Sequence, residues 1–245
     1  MPFFGELETF LQDIPRHLSR KPKAILVISG HWEEREPTVM AHPHPPMLYD
    51  YYGFPKHTYE IRYDAPGAPD VAMATQRLLE QAGFSATLDE KRGFDHGVFA
   101  PLYVMYPKAD VPIFQLSMKA GYDPETHFRI GRALASLRQQ DVLIVGSGLS
   151  YHNLRNMLGH PEAARLPSQQ FDQWLQETLV GSSPEERHRR LLAWAQAPSA
   201  RAAHPQEDHL IPLLVAAGAA ESDPAQLVHH ELFVGAVTVS SFRFG

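Results

Sequence analysis

Two segments of this chain restrict its fold more than any others. Lys23-Ala-Ile-Leu-Val-Ile-Ser29 and Asp141-Val-Leu-Ile-Val-Gly146 are apolar runs of strand length with no polar residue alternating through them. A strand with one wet face alternates polar and apolar residues. A strand without alternation must be covered on both faces, as in a parallel sheet flanked by helices. Both runs are far shorter than the roughly 20 residues needed to cross a bilayer. Amphipathic stretches separate them. Glu6–Arg20 places Leu7, Phe10, Leu11 and Ile14 on one side, and Asp70–Gln81 carries an apolar stripe that Gly83 stops. Helices are also expected over Pro124–Gln140, Pro167–Val180 and Pro184–Ala195, and strands over Phe84–Leu88, Val111–Ser117 and Leu232–Ser240. Pro205–Ala217 has Pro205 at a first helical position, Glu207 and Asp208 in the first turn and Gly218 just past the end. The alternation predicts an α/β fold in a single domain over residues 1–245, with a central mostly parallel or mixed sheet flanked by helices. Pro43–Pro69, rich in Pro, Tyr and Gly, is a long loop of the kind that carries function.

Composition narrows the chemistry. Fourteen histidines and no cysteine exclude a disulfide framework, a thiolate zinc site, an iron–sulfur cluster and a cysteine nucleophile. Any bound metal must be held by imidazole nitrogen and carboxylate oxygen. A net charge of −6 offers no nucleic-acid stripe and no polybasic membrane patch. The first residues lack a basic, then apolar, then small-residue leader pattern, so a cytoplasmic protein is expected, with homo-oligomerisation left open.

Ligands of open α/β sheets bind beyond the carboxyl ends of the strands. His31 follows the first apolar run in Ser29-Gly-His-Trp32, and His152 follows the second across Gly146-Ser-Gly-Leu-Ser-Tyr151. His96, in Gly93-Phe-Asp-His-Gly97, precedes a helix expected near Val98, and His209 falls in the first turn of the Pro205 helix. Singly, His31, His96 and His152 read more often as hydrogen-bonded loop residues than as ligands, and His209 in a first helical turn can simply face solvent. No pair has the i, i+4 spacing of a helix-borne metal site. His42 and His44 read as solvent-facing or near a substrate. His229 and His230 point opposite ways on a strand. His17, His57, His127, His160 and His188 read as surface positions.

In combination these segments resemble the class III extradiol ring-cleavage dioxygenases, in particular their 4,5-DOPA dioxygenase-like branch. The likeness is carried by Pro22–Trp32, Tyr49-Asp-Tyr-Tyr-Gly-Phe-Pro55, Tyr63–Pro69, Gly93–Gly97, Val111–Ser117, Gly146–Leu154 and Pro205–Leu213, in that order from about Arg16 onward. The resemblance implies an enzyme that opens the ring of a catechol, DOPA-like or related, with O2 at a non-haem Fe(II) centre. Zn(II) can occupy such a site without supporting oxygen chemistry, having no redox function. By the family pattern His31 and His209 match metal ligands. His152 matches a position described either as a ligand or as the acid/base at the metal's edge, and His96 a histidine that hydrogen-bonds the substrate. Tyr51, Tyr52 and Phe54 would wall the aromatic ring, although loop aromatics equally often serve packing.

The sequence departs from the pattern at one place. The family opens with a strand ending in a His-Gly-Ser-Pro-like loop that supplies a further ligand, and Met1 falls after that point. Three readings stand beside one another: a start that omits this strand, a substitute ligand such as His42, His44 or Glu207, or a member that binds metal without turnover. A zinc hydrolase is a further alternative, since His-rich rims also serve hydrolysis.

Overall fold

A computed structural model describes residues 5–245. In chain order the elements are α1 (Gly5–Asp13), β1 (Ala24–Glu34), β2 (Thr38–Met40), α2 (Pro69–Gln81), β3 (Thr87–Asp89), α3 (His96–Met105), β4 (Ile113–Lys119) and α4 (Pro124–Leu134). The second half comprises β5 (Val142–Ser147), α5 (Leu154–Gly159), α6 (Pro161–Leu179), α7 (Pro184–Leu192), α8 (Ala200–Ala203), α9 (Ile211–Ala219), β6 (Ala225–Phe233) and β7 (Val237–Phe244). This is the expected α/β architecture, with a five-stranded, mainly parallel sheet in the order β3-β2-β4-β1-β5.

The first apolar run, β1, is one of the sheet's inner strands. Parallel neighbours flank it, Ile25 pairing with Ile113 of β4 on one side and Leu143 of β5 on the other. Ala24 to Ile28 are at most 1% exposed, which explains why the run lacks polar alternation. The second run, β5, forms an edge of the sheet, and its Leu143, Ile144 and Val145 are half-buried. Helix α9 reaches its layer through reciprocal close approaches with α4. A Cβ on Gly131 would lie 2.0 Å from the Val215 carbonyl oxygen, and one on Gly218 would lie 2.1 Å from that of Phe128. Only residues without a side chain let these two backbones pack this tightly.

Several expected boundaries shift. α9 begins at Ile211 with Pro212 in its first turn, not at Pro205, and Gly218 is buried inside it instead of ending it. Pro167 lies inside α6, which already starts at Pro161 and is preceded by the unanticipated α5. Leu232–Ser240 is not one strand. Val234 and Gly235 have φ of 47° and 70°, a left-handed pair that turns β6 back into β7 as a separate two-stranded hairpin. His127, expected at the surface, is fully buried. Its Nε2 accepts from the Lys119 N–H at 3.0 Å and its Nδ1–H donates to the Asp123 carbonyl at 2.8 Å, so it is a satisfied core histidine. Among the described residues no helix is long and apolar enough to cross a membrane.

Candidate functional site

The site begins where β1 departs from regular pairing. From Ile28 to Glu33 the strand advances five residues while β4 advances two, from Leu116 to Met118. His31 therefore sits within an irregular strand, not in a loop after it, and such bulges re-aim side chains. A buried network fixes its backbone. The Ser29 hydroxyl accepts from the His31 N–H at 3.2 Å and donates to Asp95 Oδ1 at 2.7 Å. Asp95 is fully buried, its other oxygen accepts from Arg92 at 2.8 Å, and Arg92 lies over the Trp32 ring at 4.3 Å.

The remaining histidines arrive from three other segments. His96 is the first residue of α3. His152 lies five residues beyond β5, its N–H donating to the Ala203 carbonyl at 3.0 Å. His209 lies two residues ahead of α9, in a turn and not inside the helix expected from Pro205. Ring centroids of His31 and His96 are 3.9 Å apart, those of His31 and His209 4.9 Å, and His152 stacks on His209 at 3.3 Å, nearly parallel. Four histidines that the sequence only suggested could share a rim thus form one continuous cluster.

Two aspartates that the sequence reading did not single out join it. Donor atoms of His31, Asp50 and His96 lie within 4.8 Å of one another, and so do those of His152, Asp208 and His209. Both aspartates stood in view: Asp50 inside the Tyr49–Pro55 segment valued for its aromatics, Asp208 beside His209 but read only as a first-turn acid. The substitute ligands considered from sequence are not in these groups. Glu207 pairs with Arg201 at 2.7 Å, and the His42 ring accepts from the His44 N–H at 3.0 Å.

The donor set suits a divalent cation. Burial first, then the charge of neighbouring histidines, lowers the pKa of His31, of His152 to about 4, and of His209 furthest. These three imidazoles are consequently neutral near pH 7, the form that binds metal. Among the described residues His209 Nε2 is buried without a hydrogen-bond partner, a position that normally costs about 1–3 kcal/mol unless something occupies it. The Leu149 N–H donates to Nδ1 of the same ring at 3.2 Å, placing the proton of the neutral ring on Nε2. To hold a cation through Nε2, the neutral ring would have to carry its proton on Nδ1 instead, giving up the Leu149 bond. Burial raises the pKa of Asp208, whereas for Asp50 the hydrogen bonds from His96 outweigh burial and lower it.

The aromatic residues proposed from sequence divide. Tyr51 presents its ring edge-on to His96 at 5.6 Å and is anchored by its hydroxyl donating to the Thr58 carbonyl at 2.6 Å. Phe54, 57% exposed, packs edge-on to Tyr51 at 5.4 Å, and Tyr52 stands 92% exposed to solvent.

An α/β sheet carrying four clustered histidines with carboxylates beside them defines a candidate metal-dependent enzyme. The chain belongs to the family described as the catalytic LigB subunit of aromatic ring-opening dioxygenase, which it matches over residues 3–245. It is 41% identical over 228 residues to the 4,5-DOPA dioxygenase extradiol of Beta vulgaris, covering 92% of this chain and 84% of that protein. With the 4,5-DOPA dioxygenase extradiol of Escherichia coli K12 it shares 35% identity over 229 residues, 92% of this chain and 83% of the relative. Dioxygenase tasH of Hapsidospora irregularis is 37% identical over 251 residues, 95% of this chain and 76% of that protein. The crystal structure of an uncharacterized protein from Escherichia coli K12 superposes with a TM-score of 0.81 at 31% identity, covering 97% of this chain and 92% of that one. The chain is accordingly a ring-cleaving dioxygenase of the extradiol type, in a metal-dependent family.

Proposed function

We propose that this protein opens the ring of a catechol beside its two hydroxyls with O2, at an Fe(II) ion held by His31 and His209, within one catalytic domain over residues 1–245. The carrying observation is the convergence of His31, His96, His152 and His209 at centroid distances of 3.3–4.9 Å between successive rings. Fe(II), when bound, would supply adjacent open positions at which a chelated catechol and O2 meet. The chain's own groups would do the rest. His152, neutral because burial holds its pKa near 4, keeps a lone pair beside His209 to take a catechol proton and return it as the ring opens. His96 would hydrogen-bond the substrate oxygen, and Tyr51, edge-on to it, would flank the aromatic ring.

The test is anaerobic loading with Fe(II), followed by DOPA or protocatechuate in air. A yellow ring-cleavage product is expected, and a protein that binds Fe(II) stoichiometrically yet forms none refutes the reading. Metal analysis of His31→Ala and His209→Ala checks the ligands: each is expected to lose most of its bound metal, and full occupancy in both overturns the assignment.

A further inference from the structure

Asp50 has a bonding pattern that neither metal binding nor packing calls for. It comes from the long loop between β2 and α2, 46 residues before His96, and a single oxygen, Oδ1, accepts twice from that histidine. The backbone N–H of His96 donates at 2.9 Å and its ring Nδ1 lies at 2.8 Å. The first bond completes the start of α3. Asp95 occupies the cap position but makes no cap bond, because its carboxylate is committed to Ser29 and Arg92. Asp50 caps the helix in its place, from a distant segment. The second bond decides where the ring proton sits. A carboxylate only accepts, so Nδ1 carries the hydrogen, and in the neutral ring Nε2 keeps its lone pair. The other oxygen of Asp50 stands 3.8 Å from His31 Nδ1, beyond hydrogen-bond reach.

We propose that Asp50 is a positioning residue for ring cleavage: it caps α3 and clamps His96 in the Nδ1–H tautomer, so that the unprotonated Nε2 is the nitrogen available to substrate. This rests on the dioxygenase reading for its catalytic meaning, but the clamp itself can be observed without turnover. Free imidazoles in water favour the opposite tautomer, so losing the clamp removes the acceptor His96 needs. The ring also becomes free to rotate between the Tyr51 and His31 rings that flank it.

The experiment compares wild type, Asp50→Ala and Asp50→Asn as Fe(II)-loaded full-length protein, with three readouts. In ring-cleavage kinetics, Asp50→Ala is expected to lower kcat about 10²-fold, the scale of one acid–base contribution, with KM within about threefold. Asp50→Asn keeps a neutral acceptor and is expected to recover part of that loss. Fe(II) stoichiometry is expected to equal wild type in both variants. In ¹⁵N spectra of the metal-free proteins, His96 is expected as Nδ1–H in wild type and predominantly Nε2–H in Asp50→Ala. Loss of Fe(II) stoichiometry in Asp50→Ala would make Asp50 a ligand and overturn the proposal. So would wild-type kcat, or an unchanged His96 tautomer. If wild type shows the Nδ1–H tautomer and binds Fe(II) but cleaves no catechol, the dioxygenase reading falls, while the ¹⁵N comparison still decides the clamp.

Discussion

Gly148 offers the most direct test that the cluster geometry matters. It follows β5 in the turn toward His152, and a Cβ built there would lie 2.2 Å from the carbonyl oxygen of His209, 2.9 Å from its carbonyl carbon and 3.1 Å from its Cα. Every one of these is backbone, so no side chain can swing aside. Ordinary contact begins near 3.4 Å, and Gly148→Ala must therefore displace the His209 segment or the turn by about 1.2 Å. A misplacement of about 1 Å at reacting groups can cost 10²-fold in rate, equivalent to about 2.7 kcal/mol of barrier. The overpacking itself is expected to destabilise the fold by about 1–3 kcal/mol. Gly159→Ala is the matched control, because a Cβ at that position meets nothing within 4 Å. The assay is kcat/KM for ring cleavage together with Fe(II) stoichiometry, and urea unfolding of the same samples to show that they are folded. Gly148→Ala is expected to fall about 10²-fold in kcat/KM and to bind metal more weakly, Gly159→Ala to change neither. If Gly148→Ala matches the control in both respects, the His209 backbone is not a fixed part of the site.

Other expectations concern the network behind the cluster and the core. Asp95→Ala leaves Arg92, whose side chain is only 14% exposed, without its buried partner; a loss of about 3–5 kcal/mol in urea unfolding is expected, partly recovered in the Asp95→Ala/Arg92→Ala double variant. Arg187, 2% exposed, donates to the carbonyls of Ala220, Glu221 and Asp223 beyond the end of α9, so Arg187→Met should cost at least about 2 kcal/mol by leaving them unpaired. His204 sets an acid limit. Burial lowers its pKa from 6.5 to about 4, so the folded state holds the neutral ring while the unfolded chain takes up a proton. The stability this represents is fully present above pH 6.5 and is lost as pH falls toward 4, about 3 kcal/mol in total. Urea midpoints measured from pH 7 to pH 4 should fall in wild type and fall less steeply in His204→Leu, which keeps only the share that His31, His152 and His209 contribute through their own lowered pKa values.

What could be read from sequence follows from the range of the forces involved. The β1 run declared its double burial because burial on both faces removes polar residues from every position, a purely local signature. The start of α9 was harder, since Pro205 and Pro212 both suit a first helical turn and the acids between them favour the earlier one. The difference matters to the site. With α9 starting at Ile211, His209 lies in the preceding turn, where its ring stacks on His152. Val234 hid the β6–β7 turn because a β-branched residue rarely takes a positive φ, and Gly235 alone is a weak turn signal. His127 reads as solvent-facing among Glu125, Thr126 and Arg129; only the approach of the Lys119 N–H makes it a core residue. Asp50 and Asp95 escaped notice for a related reason: His96, the partner of Asp50, lies 46 residues away, and Ser29, which ties Asp95 to β1, lies 66 residues away, beyond anything local sequence records.

The spacing of the clustered histidines has a further consequence. His31, His96, His152 and His209 are each more than fifty residues from the next, and they meet only after the chain between them has closed. An unfolded or half-folded chain offers a cation scattered imidazoles in place of a socket. Binding confined to the finished fold adds to its stability by mass action, about 2.7 kcal/mol when free ligand stands at a hundred times its dissociation constant. A cation held here would therefore act as a clasp on four distant stretches of polypeptide, and its supply would be felt along the whole chain as resistance to unfolding and proteolysis.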